Sequence, residues 1–294
     1  TSFVPKGQTN LILTGSIKAN VVEESIENSG SESKADAELV EEFQKTPTTF
    51  DRSKEPELGA KPLVATPKIY NAKLSNKLEL FGIESNELPL VQFSIRLKGG
   101  QMLDQPEKVG VSKLLAELMM EGTRDLTPEE LEEAIGQLGA KINISSSAEY
   151  TTITANCLSR NYQEVLSLVE KIILEPRWDS KEFDRLKQAA ISNIIQREAN
   201  PNAIAGNVFY KKLYGDNHIL SKPGSGTVTS VESITMEDLK NYYTKAFSPN
   251  VASFHIAGNI KQADAVKSLM KLESSWKGSD VVFPNYSIPA KPTM

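Results

Sequence analysis

Residues 91–97 alternate between apolar and polar side chains, and this alternation constrains the fold more than any other feature of the sequence. The apolar members, which fall on one face, are Val91, Phe93, Ile95 and Leu97. Such alternation is typical of a β-strand that buries one side, and we place this strand at 88–97. Gly99-Gly100 ends it, and apolar residues then recur at helical spacing over 109–121. A strand with one buried face needs a covering layer, so the pattern indicates a sheet packed against helices.

The rest of the sequence repeats this combination of strands and helices. Further strands are predicted at 77–83, 142–145, 150–156 and 251–257, with 142–145 and 150–156 as an antiparallel pair. Helices are predicted at 109–121, 127–138, 162–174, 180–198, 203–213, 235–246 and 261–272. Strand pairs followed by groups of helices predict an α+β fold with a mixed, largely antiparallel sheet covered by helices on one face.

An acidic segment precedes this region. Residues 21–58 contain 11 acidic and 4 basic side chains, a net −7, although the whole chain carries only −5. Large apolar residues are sparse there, so we predict an acidic flexible linker over residues 21–65. The chain shows no basic patch with interleaved aromatic residues, so no nucleic acid is expected as a partner.

The two ends of the chain suggest an excerpt from a longer protein. The sequence of residues 3–18 resembles that of residues 247–261, which suggests an internal repeat. We therefore predict that residues 1–20 are the tail strand of a preceding lobe. We predict a complete lobe over residues 66–275. Residues 276–294 are then an extended, proline-spotted tail that leads to a following lobe.

The sequence predicts no membrane span, because no stretch is apolar over the length needed to cross a bilayer. The first residues lack the basic head and apolar run of a signal peptide. A single cysteine, Cys157, excludes an intrachain disulfide and any cysteine-rich metal site.

Residues 110–123 carry a resemblance to a known protein family. This run begins with glycine, is filled with aliphatic residues and closes with Gly122-Thr123. It resembles the motif helix of the pitrilysin-like zinc peptidases, the inverzincins of the insulin-degrading enzyme and mitochondrial processing peptidase type, which carries His-x-x-Glu-His. Later stretches resemble the family's landmarks in the same order, at residues 138–143, 214–218, 226–227, 233–239, 242–243 and 247–250. The resemblance covers about residues 69–272 and implies the fold of a peptidase lobe.

The chemistry of that family is missing from this sequence. In active members two histidines and a distant glutamate bind zinc, and a second glutamate activates water. By resemblance the first histidine falls at Lys113, the activating glutamate at Ala116, the second histidine at Glu117 and the distant glutamate near Asn193. Lysine, alanine, one carboxylate and an amide cannot hold and use zinc. We therefore predict no catalytic residue, no metal ligand and no cofactor in this chain. Lys113 and Glu117 are one helical turn apart, which would allow an ion pair.

No other set of residues in the sequence forms an alternative metal or catalytic site. His218 in a turn and His255 on a strand each lack a partner histidine at ligand spacing. The glycine-rich run 222–227 lacks the Gly-Lys-Ser/Thr ending of a phosphate loop, and we expect it to precede the next helix by several residues. Cys157, at the end of a strand, is expected to pack in the core.

The resemblance implies a non-catalytic lobe that forms part of a peptide-enclosing chamber. A zinc-bearing homologous half, in the same polypeptide or complex, would supply the metal and the chemistry, and this chain alone would be inactive. Two alternatives remain open: a structural or assembly protein of the same fold, and a hydrolase that uses unrecognised residues. Because bacterial relatives of this architecture are often exported, the resemblance favours the periplasm.

Overall fold

A computed structural model gives the structure of residues 51, 53–55, 59 and 66–286. All helices and strands named below lie within residues 66–286. The tail strand predicted at residues 1–20 and nearly all of the linker predicted at residues 21–65 lie outside the described residues. None of the described helices is long and apolar enough to span a bilayer.

Six strands of this region form one mixed sheet. They are β1 (Ile69–Lys73), β2 (Glu79–Glu84), β3 (Leu90–Lys98), β4 (Lys141–Ser146), β5 (Tyr150–Leu158) and β6 (Ala252–Gly258). Their order in the sheet is β1-β2-β6-β3-β5-β4. β2 and β6 pair in parallel, and the other neighbours pair antiparallel. β6 therefore lies in the middle of the sheet although it comes last in the chain among the described strands.

Nine α-helices accompany the sheet in residues 66–286. They are α1 (Val111–Leu118), α2 (Pro128–Gln137), α3 (Tyr162–Leu174), α4 (Ser180–Glu198), α5 (Pro201–Tyr214), α6 (Val228–Ser233), α7 (Met236–Ala246), α8 (Gln262–Ser268) and α9 (Met270–Ser275). α2 begins as its sequence predicts. Thr127 accepts a hydrogen bond from the backbone of Glu130, and the Glu130 side chain accepts one from the backbone of Thr127.

The apolar core lies between one face of the sheet and the helices. The alternating residues of β3 that face the core are at most 2% exposed: Val91, Phe93, Ile95 and Leu97. They belong to one cluster with buried residues such as Leu115 of α1 and Val169 of α3. Gln92 and Arg96, on the opposite face of β3, are exposed. The predicted α+β fold, with a mostly antiparallel sheet covered on one face, is confirmed.

Two predicted helices have different bounds. The helix predicted at 109–121 begins only after Gly110, whose φ of 112° is left-handed and does not fit inside a helix. The helix predicted at 261–272 is divided in two, α8 and α9, at Leu269. In both cases the apolar residues keep their helical spacing beyond the residue at which the helix begins or ends.

α6 corrects one prediction. The glycine-rich run 222–227 does not precede the next helix by several residues, because Thr227 is itself the N-cap of α6. Thr227 Oγ1 accepts from the Ser230 amide at 3.2 Å, and Ser230 Oγ accepts from the Thr227 amide at 2.9 Å. A helix of fewer than two turns is too short to show an apolar period, so the capping pair was the only local signal.

Candidate functional site

α1 begins at a buried carboxylate. Asp104 Oδ2 accepts from the Gly110 amide at 2.8 Å, and Oδ1 accepts from the Ser112 amide at 3.0 Å. These bonds satisfy two donors that the first turn of a helix leaves free. Since residues three and four apart share a helical face, one side of α1 and its N-cap presents a continuous row. That row consists of Gly110, Lys113, Leu114 and Glu117.

α4 contacts α1 and presents a row of the same spacing. It begins at Asp179, whose Oδ1 accepts from the amides of Lys181 and Glu182 at 2.8 and 3.4 Å. The row that α4 turns toward α1 consists of Ala190, Asn193, Ile194 and Arg197. Arg197 Nη1 donates to Ser225 Oγ at 2.8 Å, which ties this end of α4 to the glycine-rich loop.

The two rows and Ser225 enclose a cleft of about 60 Å³. Three of the four positions assigned by resemblance line it together: Lys113, Glu117 and Asn193. Ala116 does not line the cleft, because it is 1% exposed and packs in the core. The structure thus brings residues of α1 and α4 to one place.

The cleft carries two cations and one carboxylate. Burial raises the pKa of Glu117 above its ordinary value, while the charge of Lys113 lowers it and that of Glu121 raises it. The ion pair that one-turn spacing would allow between Lys113 and Glu117 is not formed. Among the ion pairs of residues 66–286, none involves Lys113 or Arg197.

These side chains do not fit zinc. An ammonium group repels a divalent cation, and an amide oxygen is a weak neutral donor, so among the described residues that line the cleft Glu117 is the one strong ligand. In the part of the chain that the structure describes, no group of three or more histidine, cysteine, aspartate or glutamate side chains is placed to hold a metal ion.

Two family profiles match the chain in succession. The insulinase family, peptidase family M16, matches residues 83–222, and the peptidase M16 inactive domain matches residues 233–293. The chain belongs to peptidase family M16. β6 lies in the second match, yet it is hydrogen-bonded to β3 of the first. The two M16 segments therefore contribute strands to one sheet.

Relatives of this M16 lobe are longer than the chain. Non-peptidase homolog YmxG of Helicobacter pylori is 24% identical over 186 residues, which are 63% of this chain and 43% of the relative. The peptidase M16 inactive domain from Pseudomonas fluorescens matches with a TM-score of 0.72 and 19% identity, over 76% of this chain and 54% of that one. The periplasmic protease PqqL from Escherichia coli matches with a TM-score of 0.68 and 17% identity, over 78% of this chain and 26% of PqqL. Both structures share the fold, and the chain spans at most about half of the length of these three proteins.

The histidines and the cysteine lie away from the M16 cleft and have partners or burial of their own. His255 Nε2 is 2.8 Å from Ser253 Oγ, and its ring stacks on Phe81 with centroids 5.5 Å apart. His218 Nδ1 accepts a backbone N–H at 3.1 Å. Cys157 is 3% exposed, and burial raises the pKa of its thiol, which disfavours the reactive thiolate.

Two polar residues of the cleft, Arg197 and Ser225, were not found by sequence reasoning. Arg197 follows Asn193 by one turn of α4, and that spacing was the available signal. Ser225 lies in a loop far along the chain from α1, and no local pattern reveals this proximity. The hydrogen bond between Arg197 and Ser225 therefore emerges only from the fold.

We expect Asp104 to make the lobe less stable as the pH rises. It is 3% exposed, and burial raises its pKa from 3.8 to about 7 despite the hydrogen bonds from Gly110 and Ser112. Folding thus favours the protonated carboxyl, whose stabilisation is complete below about pH 4 and is lost as the pH rises through about 7. Asp104→Asn should remove this pH dependence of the free energy of unfolding. The dependence amounts to a few kcal/mol at most, since a tenfold change in proton affinity is about 1.4 kcal/mol. Urea unfolding across this pH range measures the free energy of unfolding.

Asp179 at the start of α4 provides the matched control. Hydrogen bonds from the amides of Lys181 and Glu182 lower its pKa. Its contribution to stability is present above its unfolded pKa and is lost as the pH falls. Asp179→Asn should therefore lose stability mainly at neutral pH. Parallel pH profiles for the two variants would show that the environment of Asp104 is wrongly described.

Proposed function

We propose that this chain is a non-catalytic lobe of an M16 peptidase and forms part of a peptide-enclosing chamber with a separate zinc-bearing half. The observation that carries this proposal is the cleft between α1 and α4. It retains the two-helix frame that the resemblance leads us to expect around zinc, but Lys113, Glu117 and Asn193 line it. These groups neither hold a divalent ion nor activate its water, and Ala116 offers no base. The chain alone is therefore inactive as a peptidase.

The zinc then belongs to the partner half, in the same polypeptide or in a complex, and this chain binds no cofactor. The lobe forms part of the chamber wall and excludes folded proteins by size. It also helps to hold the two halves closed around a peptide. The match of the M16 inactive domain to residues 233–293 supports this pairing with a catalytic half.

The exposed surface of α5 supports contact with another lobe. None of the residues of α5 is buried. Its large apolar side chains are 47–60% exposed: Ile204, Val208, Phe209, Tyr210 and Leu213. An apolar surface of this kind on a folded domain is typical of an interaction site. We assign it to the contact with another part of the peptidase.

The organisation of the chain fits an excerpt from a longer peptidase. We assign residues 1–20 to the tail of a preceding lobe, 21–65 to an acidic linker, 66–275 to this lobe and 276–294 to an extended connection. The greater length of the Pseudomonas fluorescens structure, of which the chain covers 54%, supports this assignment. The periplasmic protease PqqL favours the periplasm for this lobe as well.

A structural or assembly protein of the same fold is the second candidate. The relative from Helicobacter pylori favours it, since that protein is named a non-peptidase homolog. In this case α5 would still bind a partner, but the assembly would not cut peptides.

Co-expression with a zinc-bearing M16 half encoded in the same genome tests both functions. We expect the chain alone to leave an internally quenched peptide intact and the co-purified complex to cleave it until a chelator is added. Phe209→Glu on α5 should reduce complex formation and cleavage together. Met270→Glu, on a side chain of α9 that is 62% exposed, is the matched control and should reduce neither.

The outcomes separate the candidates. A complex that forms but does not cleave supports the assembly protein. Chelator-sensitive cleavage by the chain alone contradicts both functions and supports a hydrolase with unrecognised residues.

A further inference from the structure

Two cations and a side-chain amide line the cleft between α1 and α4, and neither cation forms an ion pair with a carboxylate of the described residues. The two cations are Lys113 and Arg197. The bond from Arg197 Nη1 to Ser225 Oγ holds the guanidinium at the rim. Asn193 adds an amide group from the middle of the same face. This environment repels cations and attracts an anion.

The net charge of the cleft restricts that anion. A carboxylate is a monoanion, whereas a phosphate group at neutral pH carries a charge of about −1.5 to −2. Glu117 also lines the cleft, and its negative charge repels a dianion more strongly than a monoanion.

We propose that this cleft binds a carboxylate of a peptide, either a free C-terminus or an aspartate or glutamate side chain. The planar guanidinium of Arg197 suits a carboxylate because its donors form a fork, and Lys113 adds a point charge from α1. The amide of Asn193 supplies a neutral donor. No bond is made or broken. This binding needs no zinc-bearing half, so it can be present or absent whatever the fate of the proposed function.

Fluorescence anisotropy with labelled peptides on the purified chain tests the site. The probe is a short peptide without acidic residues and with a free C-terminus, compared with its C-terminal amide and with an amide that contains one internal aspartate. We expect one or both carboxylate peptides to bind about tenfold more tightly than the acid-free amide, which is about 1.4 kcal/mol. The preference should shrink as salt is added, because the charges at the rim are screened. The two carboxylate arms distinguish a C-terminus from a side chain.

Substitutions locate the binding. Lys113→Met and Arg197→Gln should each abolish the preference, whereas Lys181→Met, at the exposed far end of α4, should preserve it. Glu117→Gln should strengthen carboxylate binding several-fold because it removes the repelling charge. Equal binding of all three peptides, or a preference that survives both Lys113→Met and Arg197→Gln, would overturn the assignment. So would displacement of the probe by inorganic phosphate but not by acetate.

Discussion

Lys113→His, Glu117→His and Asn193→Glu together should convert the cleft into a zinc site. These positions line one cleft between two helices in contact, and two histidines with one carboxylate are a ligand set of catalytic zinc sites. Zinc contributes about 10–16 kcal/mol in structural sites. Even a fraction of that free energy supports an expected gain of at least about 1000-fold in affinity over the natural chain, or about 4 kcal/mol. Competition with a chromophoric chelator measures the gain.

The control places two histidines on an exposed part of α4, away from the cleft. Lys181→His with Asp184→His adds two imidazoles to an exposed part of the helix, three residues apart, and should gain far less affinity. Ala116 is kept, because it is 1% exposed and a carboxylate there would be buried. A triple variant that binds zinc no better than this control would show that the three positions do not converge and that the assignment by resemblance is wrong.

Gly258→Ala should destabilise the lobe by roughly 3–5 kcal/mol, the range of the most damaging substitutions. Gly258 ends β6 with φ of 137°, a conformation that side chains with a Cβ rarely adopt. A Cβ there would lie 2.1 Å from the carbonyl oxygen of Leu90 and 2.8 Å from Cα of Val91. Both atoms belong to the backbone of β3, which cannot move aside without breaking the sheet. Urea unfolding measures the loss of stability.

Gly206→Ala is the matched control within α5. A Cβ at Gly206 meets no atom within 4 Å, and alanine is about 1 kcal/mol better than glycine inside a helix. This variant should be as stable as the natural chain or slightly more stable. Equal stability of the two alanine variants would contradict the described pairing of β6 with β3.

Features that depend on neighbouring residues could be predicted from the sequence. The alternation in β3 predicts both the strand and its buried face, because side chains of a strand point to opposite sides. Thr127 and Glu130 predict the start of α2, since the capping box is a local exchange of hydrogen bonds. The same locality explains why the short helix α6 escaped prediction.

Features that depend on distant residues could not be predicted in this way. The position of β6 between β2 and β3 requires a parallel pairing across most of the lobe. The resemblance identified Lys113, Glu117 and Asn193 as a set, but it did not identify Arg197 or Ser225 as residues of the cleft. Those two residues meet through the packing of α4 against the glycine-rich loop. The anion-binding character of the cleft therefore became apparent only from the three-dimensional arrangement.

The zinc content of the purified natural chain, measured by elemental analysis after dialysis against buffer containing zinc, tests the proposed loss of the metal site most directly. Because Lys113, Glu117 and Asn193 supply a single strong ligand, we predict far less than one zinc ion per chain. One tightly bound zinc ion per chain that is lost on replacing Glu117 would contradict a non-catalytic, metal-free lobe.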